Sequence, residues 1–212
     1  IWLHEAGASD LWFEYRKEKF GVASVPCGVF PTEIFLHSKK RIQTLEDLRG
    51  LKLRTAGAWA EIAGSLGAST VILPGAEVYP ALERGVIDAI EWSSPSVNLP
   101  SGFHKIAKYI IMPGVHQPGA TMECVFNMGA WERISERDRE MLRLAGKLMM
   151  LDSWTRYAYR DIAALEEMHL AGNEFVILDS EFIRAANKAA DEWADEQASK
   201  DVWFKRVLEH RR

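Results

Sequence analysis

The chain has 212 residues, 26 Lys and Arg against 30 Asp and Glu, and a formal net charge of −4. A mildly acidic balance without a basic stripe excludes a general electrostatic pull on nucleic acid, so an anionic ligand must be held by a local positive group. The longest apolar runs are far too short to span a bilayer. The two cysteines, Cys27 and Cys124, stand in no CxxC or metal-like spacing, which leaves one disulfide and two buried thiols as alternatives.

In chain order, residues 8–20 (ASDLWFEYRKEKF) predict a helix ended by Gly21, and VASVPCGVF and TEIFLHS alternate like two short strands. TLEDLRG predicts one capped turn, with Thr44 as N-cap and Asp47 three residues on. Strand 51–55, helix 57–66, strand STVIL, helix 76–84 and strand VIDAIEW follow, and a β-α-β-α-β run with such short loops predicts a parallel sheet flanked by helices. KIAKYIIMPG and GATMECVFNM predict further strands. Residues 135–172 hold helical periodicity throughout, FVIL predicts a last strand, and 180–210 predicts one or two amphipathic helices. Ala186, Ala190, Trp193, Gln197, Trp203, Phe204 and Val207 fall on the buried-looking side of that segment. The expected fold class is α/β, organised as a lobe over 1–118, a crossover strand over 119–134 and long helices over 135–212.

In an open parallel sheet, ligands bind beyond the carboxyl ends of the strands. Three charged groups fall there. Arg54 ends the strand LKLRT, whose leucines share one face while Lys52 and Arg54 share the other, and the small residues of the following TAGA turn leave room beside the backbone. An arginine so placed is a fork for a carboxylate or phosphate, or else the partner of a nearby acid. Glu91-Trp92 ends VIDAIEW before a Ser-Ser-Pro break. Glu33 lies among apolar residues, where a carboxylate is costly unless it meets a cation. The alternatives are a joint metal and carboxylate site and a structural ion pair of Arg54 with either glutamate. His116-Gln117 in MPGVHQPG lies in a Pro- and Gly-rich crossover, where it would line a cleft or simply meet solvent. No HExxH, GxSxG, P-loop or GxGxxG occurs, so no catalytic residue is assigned.

Three stretches, GLKLRTAG, LPGAEVYPALERGVIDAIEW and SGFHKIAKYIIMPGVHQPG, resemble the periplasmic solute-binding receptors of TRAP transporters. The likeness runs over about residues 8–200 and is most specific from Pro74 to Trp92. The PCG at 26–28 and the Glu-Trp pair are similar to the branch that binds 2-oxo monocarboxylates such as pyruvate. The resemblance implies a periplasmic binding protein-like fold with long C-terminal helices, and a preceding lobe that this chain, which reads as a fragment, largely lacks. It also implies that Arg54 holds the ligand carboxylate, and that Glu91, through its side chain, and Trp92, through its backbone carbonyl, hold a cation, calcium or sodium. Glu33 stands where the branch has a metal-ligating glutamine, a departure that favours a divalent ion because oxygen sites gain affinity with ligand charge. Gln117 falls at a polar position of the crossover loop. The implied function is capture of a 2-oxo or 2-hydroxy acid in the periplasm and its delivery to TRAP membrane subunits. A homodimer through the C-terminal helices, with Trp193 and Trp203 near the contact, is expected by the same likeness. The competing classes are a divalent-metal α/β enzyme acting on small carboxylic acids through Glu33 and Glu91, and a module that only assembles.

Overall fold

The computed structural model describes residues 2–211; Ile1 and Arg212, the outermost residues of the segments drawn at 1–118 and 135–212, lie outside them. The elements are α1 (Trp2–Glu5), α2 (Ala8–Phe20), β1 (Val22–Phe30), β2 (Leu36–Ser38), β3 (Lys52–Arg54), α3 (Ala58–Ser65), β4 (Ser69–Val71), α4 (Gly75–Glu83) and β5 (Ala89–Ile90). They continue with α5 (Pro95–Ser101), β6 (Tyr109–Met112), β7 (Ala120–Asn127), α6 (Met128–Arg133), α7 (Glu136–Leu170), β8 (Glu174–Ile177), α8 (Ser180–Lys200) and α9 (Val202–Arg211). Two compact units are assembled from separated stretches. One gathers the chain up to Phe30, Ala120–Arg156 and the chain from Ala194; the other holds Pro31–Gly119 and Tyr157–Trp193.

In the first unit β1 and β7 form an antiparallel ribbon, with a register shift between Pro26 and Gly28. Ala23, Val25 and Trp131 form its core, joined by Phe13, Phe126 and Leu142. Gly146 of α7 approaches the ribbon at backbone distance: a Cβ there would run into the Pro26 carbonyl and the Val25 side chain. Cys27 and Cys124 are free thiols on the two strands, and burial pushes the Cys27 thiol up to about 11. Trp203 is only 4% exposed here, its indole donating to Glu18 Oε1 at 3.1 Å and packing edge-on against Tyr15. α2 of the same chain thus covers Trp203.

The second unit is built on a six-stranded sheet in the order β4-β3-β5-β2-β6-β8. Three neighbouring pairs are parallel (β3 with β4, β3 with β5, β6 with β8), and β2 runs antiparallel to both β5 and β6. The parallel-rich α/β fold is thus as expected. The alternation of LKLRT holds too: Leu51 and Leu53 are buried and Lys52 is exposed. Thr44 and Asp47 form the expected reciprocal cap, Thr44 N donating to Asp47 Oδ2 at 2.8 Å and Asp47 N to Thr44 Oγ1 at 3.4 Å. Trp193 packs against this unit's main core and its indole donates to Glu61 Oε2 at 2.7 Å.

Two of the differences from expectation bear on the site. TEIFLHS is strand only from Leu36, because Glu33, Ile34 and Phe35 donate their N–H groups to three different carbonyls, those of Gln117, Ser93 and Ile111, and so enter no ladder. VIDAIEW shortens to Ala89–Ile90, and the Ser-Ser-Pro after it starts a helix with Pro95 at its first turn, where a missing N–H costs nothing. Among the described residues no helix is long and apolar enough to cross a membrane. One side of α7 is apolar yet open: Met141, Leu144, Leu148 and Leu151 are each more than half exposed and recur at three- and four-residue spacing.

Candidate functional site

The antiparallel insertion of β2 decides where the charged groups meet. Since β2 opposes β5 and β6, the segment leading into it lies at the edge where those strands end. Arg54, paired with Ile90 in the β3–β5 register, ends at the same edge. Glu33, Arg54, Glu91 and the crossover after β6 therefore converge within the second unit.

Arg54 Nη1 donates to the Glu91 carbonyl at 3.1 Å and Nη2 to the Leu73 carbonyl at 3.3 Å, while Nε is buried with no protein partner. Its guanidinium carbon sits 5.2 Å from the Trp92 ring centroid, a cation–π stack, and that ring also packs edge-on against Phe103. The arginine meets the backbone of Glu91, not its carboxylate. Of the two alternatives left by the sequence, the hydrogen-bonded Arg54–glutamate ion pair is not the one formed.

Glu91 is fixed at both ends. Its N–H donates to the Arg54 carbonyl at 3.0 Å, and its Oε2 accepts from the hydroxyl of fully buried Thr55 at 3.0 Å. Burial pushes the Glu91 carboxyl above its ordinary value, although His116 beside it pulls the other way. Glu33 is 5% exposed; its Oε1 accepts from Gln117 Nε2 at 3.1 Å, and its Oε2 lies 3.1 Å from His116 Nε2. That imidazole nitrogen is also 3.7 Å from Glu91 Oε1, and one ligand atom from each of Glu33, Glu91 and His116 falls within 4.8 Å of the others.

His116 was the residue that sequence reasoning left open between cleft and solvent. Its side chain is 3% exposed, wedged between the rings of Phe35 and Trp59 at centroid distances of 5.7 and 6.1 Å. The crossover reaches this depth because residue 114 is glycine: any Cβ there would collide with the Glu33 carbonyl. Thr55 was missed as well. The only signal for His116 was indirect, a buried glutamate at 33 still lacking a positive neighbour once Arg54 was assigned elsewhere. Gln117 does join the cluster. Trp92 contributes its ring beneath Arg54.

This chain belongs to the DctP family, bacterial extracellular solute-binding protein family 7, whose profile matches residues 32–201. It is 32% identical over 208 residues to the monocarboxylate 2-oxoacid-binding periplasmic protein of Nostoc sp., a match covering 98% of this chain and 57% of that one. Among solved structures, a TRAP transporter solute-binding protein from Bordetella bronchiseptica superposes with a TM-score of 0.88 at 27% identity, over 99% of this chain and 62% of that chain. That protein is a dimer of mixed occupancy, with calcium and picolinate in one site and the other apo. A TRAP periplasmic solute-binding protein from Pseudoalteromonas atlantica, with bound sodium and pyruvate, gives a TM-score of 0.84 at 31% identity, over 99% and 64%. The family expected from GLKLRTAG and the Pro74–Trp92 stretch is borne out, together with its likeness to 2-oxo acid binders. The chain spans about 57–64% of the length of these relatives.

Proposed function

We propose that this chain carries the ligand-binding side of a periplasmic TRAP receptor that captures a small 2-oxo or 2-hydroxy monocarboxylate together with a cation and delivers it to the membrane subunits. The observation that carries the reading is the guanidinium of Arg54, held by two carbonyls and joined by no hydrogen bond to a carboxylate, next to buried Glu33 and partly buried Glu91. A 2-oxo acid matches both halves. Its carboxylate takes the Arg54 fork, and one carboxylate oxygen plus the keto oxygen complete the shell of a cation held by Glu33, Glu91 and the Trp92 carbonyl, with Gln117 steadying Glu33. The relatives' pyruvate with sodium, and picolinate with calcium, support this assignment. A receptor is favoured over a metal-dependent enzyme because the family consists of solute-binding proteins.

The test is calorimetry of pyruvate binding to the purified protein with and without divalent ions, with turnover of the acid assayed in parallel. Binding without turnover is the expected result; turnover, or no binding under any ion, overturns the reading. Glu33→Gln removes one negative charge from the shell and is expected to shift preference from divalent towards monovalent ions by on the order of tenfold, about 1.4 kcal/mol. An unchanged preference would take Glu33 out of the shell.

Self-association belongs to the same reading, through α7 and not through Trp203. The exposed Met141, Leu144, Leu148 and Leu151 repeat as one seam of a coiled coil does, and a second copy of the same helix offers the matching seam. Leu148→Glu is expected to turn a dimer into a monomer in sedimentation at micromolar concentration. A wild-type protein that is already monomeric would refute the dimer.

A further inference from the structure

Sequence spacing left Cys27 and Cys124 open between one disulfide and two buried thiols, and the function proposed above uses neither. The first unit brings them together. β1 and β7 run antiparallel with Val25 opposite Cys124 and Pro26 opposite Glu123, and the next pair is Gly28 with Met122. Cys27 is therefore the extra residue of a β-bulge, left out of the ladder. In an unbroken ladder Cys27 would stand diagonal to Cys124, and diagonal neighbours lie roughly 7 Å apart, beyond the reach of a disulfide. A bulge bends its strand and re-aims the extra side chain. Here it turns the Cys27 thiol into hydrogen-bonding contact with the Cys124 thiol. Both cysteines are partly exposed, and Met122, on the same side of β7 as Cys124, is 46% exposed, so a reagent can reach the pair from solvent.

We propose that Cys27 and Cys124 are the two halves of a disulfide clasp, closed across the β1–β7 ribbon by an oxidised disulfide carrier. The pairing is independent of the ligand; only its closure in the cell rests on the periplasmic part of the reading above, because a periplasm keeps dithiols oxidised. The exchange balances in two steps. Cys124 sheds its proton to solvent, and its thiolate attacks one sulfur of the carrier RSSR, forming a mixed disulfide and releasing RS−. That RS− takes the proton of Cys27, whose sulfur then attacks Cys124 Sγ and releases the second RS−, which is protonated from solvent. In sum the chain gives up two protons and two electrons, and RSSR becomes two RSH. The order follows from burial, which pushes Cys27 up to about 11 and keeps its proton on, so Cys124 attacks first. The chain leaves the ribbon at Phe30 and re-enters it at Ala120, so the bond closes a covalent loop around all of Pro31–Gly119. A loop of that length takes much freedom from the unfolded chain, which makes the oxidised form the more stable one.

The test uses the purified, fully reduced chain with no 2-oxo acid or cation added. It is incubated with oxidised glutathione, quenched with N-ethylmaleimide and weighed intact, followed by non-reducing peptide mapping and thermal unfolding of the reduced and oxidised forms. Both thiols are expected to disappear together, with two equivalents of reduced glutathione released and Cys27 mapped to Cys124 within one chain. The oxidised form is expected to melt higher by roughly 5–15 °C. Cys27→Ser is expected to stop at the mixed disulfide and keep one glutathione on Cys124, because the second attack is missing. Thiols that stay free at excess oxidised glutathione, two glutathiones retained per chain, or a bond found only between chains would each overturn the pair. Equal melting temperatures of the two forms would overturn the clasp. The wild-type experiment needs no variant to fold. Pyruvate calorimetry on each redox form is separate: binding without a linked pair overturns only the clasp, and a linked pair without binding overturns only the receptor assignment.

Discussion

Arg54→Ala is expected to weaken pyruvate binding by roughly 30- to 5,000-fold, corresponding to the loss of about 2–5 kcal/mol when one partner of a desolvated charge pair is truncated. The size follows from the arginine's setting. Its Nη groups are anchored on the Glu91 and Leu73 carbonyls and its plane is held against Trp92, so the fork is already oriented before a ligand arrives and little ordering is left to oppose binding. The folded state should change far less. Losing two hydrogen bonds at a half-buried side chain costs on the order of 1–2 kcal/mol, part of which solvent restores. Arg54→Lys retains the charge without the planar fork and is expected to fall between the two. Calorimetry with pyruvate decides: an affinity within twofold of wild type in Arg54→Ala would remove the residue from the site.

Acid should destabilise the protein through a residue outside the site. His37 lies in β2 with no solvent exposure, and burial, reinforced by His104, pulls its pKa down to about 3 from the ordinary 6.5. The tautomer follows from its neighbour. Asn98 Nδ2 donates to the Ser93 carbonyl at 2.9 Å, which fixes the amide, and the same group lies 3.1 Å from His37 Nε2, so that nitrogen accepts and the ring is neutral. A depressed pKa for a base means that the unfolded chain takes up the proton first. The stability due to neutral His37 is therefore present in full above pH 6.5 and is lost as the pH falls from 6.5 towards 3. At pH 4.5 the loss amounts to about 2–3 kcal/mol, at roughly 1.4 kcal/mol for each unit between the two states. Urea unfolding of wild type and His37→Gln at pH 7.5 and pH 4.5 isolates this residue from other groups. The variant should be the less stable at neutral pH and lose less on acidification; equal acid losses in both proteins would refute the assignment.

How much of this was legible in the sequence depended on whether a residue's surroundings are local. Arg54 was, since the alternation of LKLRT and the small TAGA turn already say that a strand ends in a charge with room beside it. Glu91 was, as the polar end of an apolar run. Glu33 was recognised as a carboxylate in need of a partner, but the segment carrying it was read as strand. Its three N–H groups go to the crossover, to the chain after β5 and to β6, and no local pattern encodes that division. His116 and Thr55 were beyond reach for a related reason. His116 is buried only because Gly114 brings the crossover onto the Glu33 backbone, and Thr55 points at Glu91 only because β3 and β5 are paired. Trp203 was legible as a buried position, but helical spacing shows that a face is covered and not by what. It is covered by α2, almost the whole chain away in sequence.

The placement of β2 between β5 and β6 carries a further consequence. The groups at the shared edge come from four stretches of chain, around residues 33, 54, 91 and 116, and none of the four holds the others without the sheet between them. The unfolded chain therefore has no equivalent of this cluster, and occupancy and folding must be thermodynamically linked. Ligand at a hundred times its dissociation constant would add about 2.7 kcal/mol to the unfolding free energy. A receptor of this design would be hardest to unfold, and slowest to yield to proteases that attack opened chains, while it is loaded.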